Sequence, residues 1–139
     1  MAWCWDGELH VVVHDARDPT DVEWNRYVSE LHQFTMRGDW KILVYSAGGT
    51  PTGQQRHALT KTFRGHPVAL VTSSPIMRAM GLVMRALDPN IRVMPPQDED
   101  LAFAHLRLSE AQRRRAHMHH EQLTRQVMGR SRLDQSAAR

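Results

Sequence analysis

Residues 40–74 read WKILVYSAGGTPTGQQRHALTKTFRGHPVALVTSS. The run Trp40 to Ala47 is short, apolar and β-rich, the composition of a strand buried in a sheet. Gly48-Gly49 break it, and Thr50-Pro51 has the N-cap-then-proline arrangement that opens a helix, here extending to about Arg64. Leu59 and Phe63 are the only firm apolar anchors of that helix, so most of it should face water. His66 to Thr72 forms a second apolar strand, and Ser74-Pro75 repeats the helix-opening signal. A strand, a helix and another strand at this spacing predict a right-handed crossover and a parallel sheet.

The same cycle continues on both sides. Downstream, the helix from Ser74-Pro75 stops at Asp88-Pro89, and Ile91 to Met94 forms a short last strand. Pro95-Pro96 precede a final helix from about Asp98, with acids 98, 99 and 100 where a helix dipole favours negative charge. Upstream, Thr20 and Glu23 match a capping box, and Trp24, Tyr27, Val28, Leu31 and Phe34 recur at helical spacing to about Arg37. Residues 2–14 read as a strand, an Asp6-Gly7 turn and a second strand. The predicted order is β-β-α-β-α-β-α-β-α, an α/β fold with a small, mostly parallel sheet and an N-terminal antiparallel hairpin.

The chain has 139 residues, 41% of them hydrophobic and 24% charged, with a formal charge of +3. This is enough for one core without metal or disulfide staples. No stretch approaches the roughly 20 apolar residues of a membrane span, and the N-terminus lacks a signal-peptide layout, so a cytoplasmic protein without a transmembrane segment is expected. The charge is uneven: from Glu110 onward seven arginines (113, 114, 115, 125, 130, 132, 139) face three acids (110, 121, 134), a net +4 that leaves the preceding body at −1. The division expected is an α/β domain over 1–109 and a basic helical or partly disordered tail over 110–139.

The loop SAGGTPTGQQR lies where such sheets bind ligands, at the carboxyl edge of a parallel strand. Its plain reading is a turn and a helix cap. Its functional reading is a phosphoacceptor or anion-binding loop made of Ser46, Gly48, Gly49, Thr50, Thr52 and Arg56, with Ser73 and Ser74 from the next strand-to-helix turn beside it. Gly48 and Gly53 have the spacing of a nucleotide P-loop, but Gln54-Gln55 stand where Lys and Ser/Thr belong. No serine, cysteine or carboxylate sits in a recognisable nucleophile motif, so no catalytic residue is assigned.

Nine histidines and the single Cys4 offer no zinc spacing. His117, His119 and His120 are dense, yet consecutive helical positions diverge around the axis, so a solvated face is expected and no metal or cofactor is assigned. The helix PIMRAMGLVMRALDP is too apolar for an ordinary surface helix. Ile76, Met77, Met80, Val83, Met84 and Leu87 share a wide face for core burial, with Met77, Met80 and Met84 as a candidate interface. The tail arginines are a weaker candidate for nucleic-acid binding, since no aromatics interleave them.

The two segments WKILVYSAGGTPTGQQRHAL and HPVALVTSSPIMRAMGLVMRALDPNIRVMP, with the strand order, resemble a STAS domain, the fold of bacterial anti-sigma-factor antagonists, over about residues 2–108. The resemblance implies a non-enzymatic regulatory module of four helices over a small sheet, binding a protein partner or itself. It also implies a switch by phosphorylation near the helix start after the central strand, where Ser46, Thr50 and Thr52 stand. The family's Asp-Ser-Ser/Thr-Gly-Leu-Gly signature is replaced here by Ala47-Gly48-Gly49-Thr50-Pro51. The alternative is a small anionic ligand or nucleotide held at the two helix N-termini, in a binding protein or an enzyme.

Overall fold

The computed structural model describes residues 1–35 and 38–137. The expected end of the first helix at Arg37, Arg139, and the side chains of Leu87 and Arg132 lie outside the described residues. Five strands form one sheet: β1 (Ala2–Asp6), β2 (Leu9–His14), β3 (Lys41–Ser46), β4 (Val68–Thr72) and β5 (Ile91–Met94). Their order in the sheet is their order in the chain. β1 and β2 are antiparallel and every other pair is parallel. The hairpin turns through Gly7-Glu8, since Asp6 is still paired with Leu9, and Gly7 at φ +61° takes the first central place, where positive φ matches the strand twist.

Three crossover helices cover one face: α1 (Asp21–Thr35), α2 (Gly53–Phe63) and α3 (Pro75–Leu87). Each joins a strand to its immediate neighbour, and crossovers of one hand then all fall on one side. The capping box at the start of α1 forms as expected: Glu23 N–H donates to Thr20 Oγ1 at 3.2 Å and Thr20 N–H to Glu23 Oε2 at 3.3 Å. Trp24, Tyr27 and Leu31 of α1, Phe63 of α2, and Trp40, Ile42, Val68 and Ile91 of the sheet edge and strands make the core on this side. Within it His10 is wholly buried, stacked between Trp5 (4.0 Å between centroids) and Tyr27 (5.7 Å). Its Nδ1–H donates to the Cys4 carbonyl at 3.0 Å, which fixes the tautomer and leaves Nε2 buried without a partner among the described residues.

The other face is covered by α4 (Glu99–His105), which follows a single 3-10 turn over Pro96–Asp98, and α5 (Glu110–Ala137). The single final helix expected from Asp98 is therefore two. Arg107, at φ +52°, takes the left-handed position after α4, with Arg107 N–H donating to Ala104 O and Leu108 N–H to Phe103 O, both at 3.0 Å. That is a Schellman ending made without glycine, which no glycine or proline in the sequence announced. Ser109 and Gln112 then form a second capping box, which starts α5.

α5 packs on β1 and β2, and α4 on β4 and β5. Ala116, Leu123 and Val127 of α5 join Ala2, Leu9, Val11, Val13, Phe103, Leu106 and Leu108 in one core. The expected boundary near Ser109 coincides with the start of α5, and buried residues on its two sides, Leu108 and Ala116, share that core. No helix among the described residues is long and apolar enough to cross a membrane.

Candidate functional site

At the carboxyl ends of β2, β3 and β4 the residues His14, Ser46 and Thr72 stand side by side in register. Ser46 and Thr72 are buried, and their hydroxyls tie down the loops that follow: Gly48 N–H donates to Ser46 Oγ at 3.2 Å and Ser74 N–H to Thr72 Oγ1 at 3.1 Å. The loop after β3 is fastened to the loop after β2. Gly49 N–H donates to Asp15 O at 3.1 Å and Thr50 N–H to Asp18 Oδ1 at 2.7 Å.

The cap of α2 is Thr52, not Thr50. Thr52 Oγ1 accepts from Gln55 N–H at 3.3 Å while Thr52 N–H donates to Gln55 Oε1 at 2.8 Å. This reciprocal pair satisfies two helix-end donors, where Thr50-Pro51 offered one, and the Gln55 amide anchors it further by donating to Asp21 Oδ1 at 2.8 Å on α1. The amides of Gly48, Gly49, Thr50 and Thr52, which an anion cradle would need, are thus committed within the protein. Arg56 also turns inward, donating to Pro51 O at 2.7 Å. In the next turn Ser74 caps α3, accepting from Met77 N–H at 3.3 Å, and Ser73 is exposed.

Gly49 is the tightest point of this arrangement. A Cβ there would lie 2.1 Å from the Arg17 carbonyl oxygen and 2.9 Å from that of Asp15, both backbone atoms that no side-chain rotation relieves. Gly49→Ala is expected to cost about 2 kcal/mol, the usual range for overpacking, and to part the two loops. A urea titration and the loss of protection at the Thr50 amide by hydrogen exchange would read both effects.

The methionine face of α3 is divided differently from its sequence reading. Met77 is buried, and Met80 and Met84 are half-buried over a narrow cavity of about 80 Å³ between α3, α2 and the sheet. The outward apolar residues are Ile76, Leu82 and Val83, at 69%, 69% and 63% exposure. Periodicity defined one broad face, and the sheet covers only its methionine side. Of the methionines named as a candidate interface, Met77 is thus inside, while Met80 and Met84 keep part of their surface exposed.

A larger cavity, about 490 Å³, opens on the opposite face of the sheet. It arises because α4 sits over β4 and β5 while α5 sits over β1 and β2, leaving the end of β3 between them. Val13, Tyr45 and Val71, side by side in register, form its floor. Tyr45 donates its phenol to Glu99 Oε1 at 2.5 Å, and the His120 ring stacks on the Tyr45 ring at 3.7 Å with a 3° interplanar angle. Burial, and then the Glu99 carboxylate, push Tyr45 well above the usual phenol range, so it remains a donor. Burial holds His120 below its ordinary value and so favours its neutral form. His14 borders this cavity and the narrow one alike; its imidazole makes no hydrogen bond among the described residues and is pushed by burial down to about 4.

The three clustered histidines of α5 part company, as their helical positions require. His117 Nδ1 lies 3.7 Å from Glu99 Oε2, His119 Nε2 lies 3.4 Å from Asp6 Oδ2, and His120 stacks on Tyr45. Of the solvated face expected of them, His117 remains half-exposed, while it and His120 meet the two members of the Tyr45–Glu99 pair and His119 turns to Asp6. No group of three or more metal-ligating side chains converges among the described residues. Cys4 is half-buried, and burial, then the charge of Asp6, raise its thiol pKa. Several tail arginines turn to the fold: Arg115 pairs with Asp6 at 2.6 Å, Arg113 lies near Asp100 and Glu110, and Arg130 reaches the Met1 carbonyl. Comparison with models of known families, with curated proteins and with solved structures finds no match to this chain.

Proposed function

We propose that this protein is a cytoplasmic, non-enzymatic regulatory module of STAS type, which acts through protein–protein contact made by α3. The observation that carries this reading is the outward apolar stripe of α3. Ile76, Leu82 and Val83 are each more than 60% exposed, and Ala79 and Ala86, also exposed, continue the stripe at helical spacing, with Arg78 and Arg85 both along its Leu82 edge. Isolated exposed aliphatics are ordinary, but a row along one helix marks a surface that gains from being covered. The alternation of strands and helices on which the STAS resemblance rests supports the fold type.

In this reading a phosphate switch falls on Thr52. Of the three hydroxyls near the start of α2, Ser46 is buried and Thr50 is half-buried with its hydroxyl on Gly48 O, whereas Thr52 is exposed at the N-cap. Phosphate there would meet the positive end of α2 and displace the capping bond to Gln55.

Native mass spectrometry of the protein isolated gently from its own cells tests the reading, with Leu82→Asp/Val83→Asp as the comparison. The wild type is expected to carry a second copy or a stoichiometric protein partner, and the double variant, unchanged in circular dichroism, to travel alone. Both forms running as bare monomers would overturn it, as would an identical partner on both.

A further inference from the structure

We infer that the cavity between the carboxyl ends of β2, β3 and β4 and the inner face of α5 binds a small organic cation, an amine or amidinium on a short apolar or aromatic body, with Glu99 as its counter-ion. The site lies on the opposite face of the sheet from α3, so it goes beyond the contact function proposed above and does not depend on it.

Its size and place come first. A volume of about 490 Å³ falls within the range of small-molecule pockets, and the carboxyl edge of parallel strands is where such sheets bind ligands. The sign of its charge comes next. Among the described residues no lysine or arginine lines it, and the carboxylates that do are Asp15 and Glu99. Asp15 is held by Arg17, with Arg17 Nη2 2.8 Å from Asp15 Oδ2. Among the described residues Glu99 has no such guanidinium: one oxygen accepts the Tyr45 phenol and the other faces the half-exposed His117 ring at 3.7 Å. A ligand ammonium or amidinium arriving at that second oxygen supplies the cation the carboxylate lacks and displaces His117 toward solvent.

Two further groups are left waiting on the protein side. The Thr124 hydroxyl, on the α5 wall, is buried and has no hydrogen-bond partner among the described residues. An orphaned buried hydroxyl destabilises a fold unless something in the cavity answers it. His14, at the rim, has an imidazole that lies against the Trp24 ring at 6.1 Å and makes no hydrogen bond among the described residues. Between these polar points the surface is aliphatic or aromatic, with Val13, Val71 and Val127 beside the stacked Tyr45 and His120 rings. That pattern suits a flat or short apolar body with one cationic end.

The test titrates the full-length protein with benzamidine, and separately with benzoate as a probe of like size and opposite charge, following the Tyr45 and His120 ring signals by NMR. Saturable shifts with benzamidine, none with benzoate, and affinity weakened roughly tenfold or more in Glu99→Gln are expected. Gln retains a carbonyl acceptor for the Tyr45 phenol. Should that variant fail to fold, Thr124→Phe, which fills the cavity from the α5 side, must abolish the shifts instead. Benzoate binding as well as benzamidine, undiminished binding in a folded Glu99→Gln, or no ring shift up to the solubility of benzamidine would each overturn the assignment. Leu82→Asp/Val83→Asp leaves the titration unchanged, which separates this site from the α3 surface.

Discussion

A chain ending at Ser109 is expected to lose its tertiary structure. α5 is the only cover over the outer face of β1 and β2 among the described residues, and Leu9, Val11 and Val13 on that face are at most 5% exposed with it in place. Uncovering three aliphatic side chains of this size forfeits about 6 kcal/mol, at roughly 2 kcal/mol each. The packing of Leu106, Leu108 and Phe103 against α5 is lost as well. Domains of this size are stable by roughly 5–15 kcal/mol in total, so the deletion removes most or all of that margin. The 1–109 chain should retain helical far-ultraviolet dichroism, lose the near-ultraviolet signal of its tryptophans and bind a hydrophobic dye. Cooperative unfolding of 1–109 with near-wild-type stability would instead make α5 an appendage.

Mild acid is expected to destabilise the protein well before its carboxylates titrate. Burial pushes His10 and His14 down to about 4, against an ordinary histidine value of 6.5. Between those values the unfolded chain takes up protons that the folded one excludes, so stability is complete above pH 6.5 and declines as pH falls toward 4. At about 1.4 kcal/mol per pH unit, His10 alone accounts for roughly 2 kcal/mol at pH 5 and roughly 3 kcal/mol at pH 4. His14, only half-buried, adds a smaller share. The urea midpoint should therefore drop between pH 7.5 and pH 5, and His10→Leu should flatten most of that dependence. An unchanged midpoint would contradict the buried, neutral His10 stacked between Trp5 and Tyr27.

The strands were legible because each is a short β-rich run bounded by glycine, proline or a polar cap, and the chain order of the sheet follows from short right-handed crossovers. α1 and α3 were equally plain, since Thr20 with Glu23 and Ser74 with Pro75 are local signals that the fold left undisturbed. Thr52 with Gln55 is the same kind of signal as Thr20 with Glu23, and it was masked by the neighbouring Thr50-Pro51. α5 was harder. Its inner seam runs Ala116, His120, Leu123, Val127, so one position is an imidazole and another a methyl group, and the arginines around it dominate the local pattern. The large cavity left no local trace at all. Tyr45 reads as one more apolar strand residue, and its partner Glu99 lies 54 positions away, so only the offset between α4 and α5 brings them together.

Because each strand pairs with its predecessor in the chain, the sheet is suited to growth by accretion during synthesis, with β3, β4 and β5 adding in turn as they leave the ribosome. The covering of its first two strands is different: it comes from α5, the 28 residues Glu110–Ala137. Until α5 has been made, β1 and β2 lack that cover, and the longest loop to close among the described residues is the one that brings α5 home. Among the described contacts, the cost in loop-closure entropy is concentrated in that single late step. A stall before α5 has been made would leave a molecule with an adhesive sheet face, so α5 is the shield on which residues 1–109 depend.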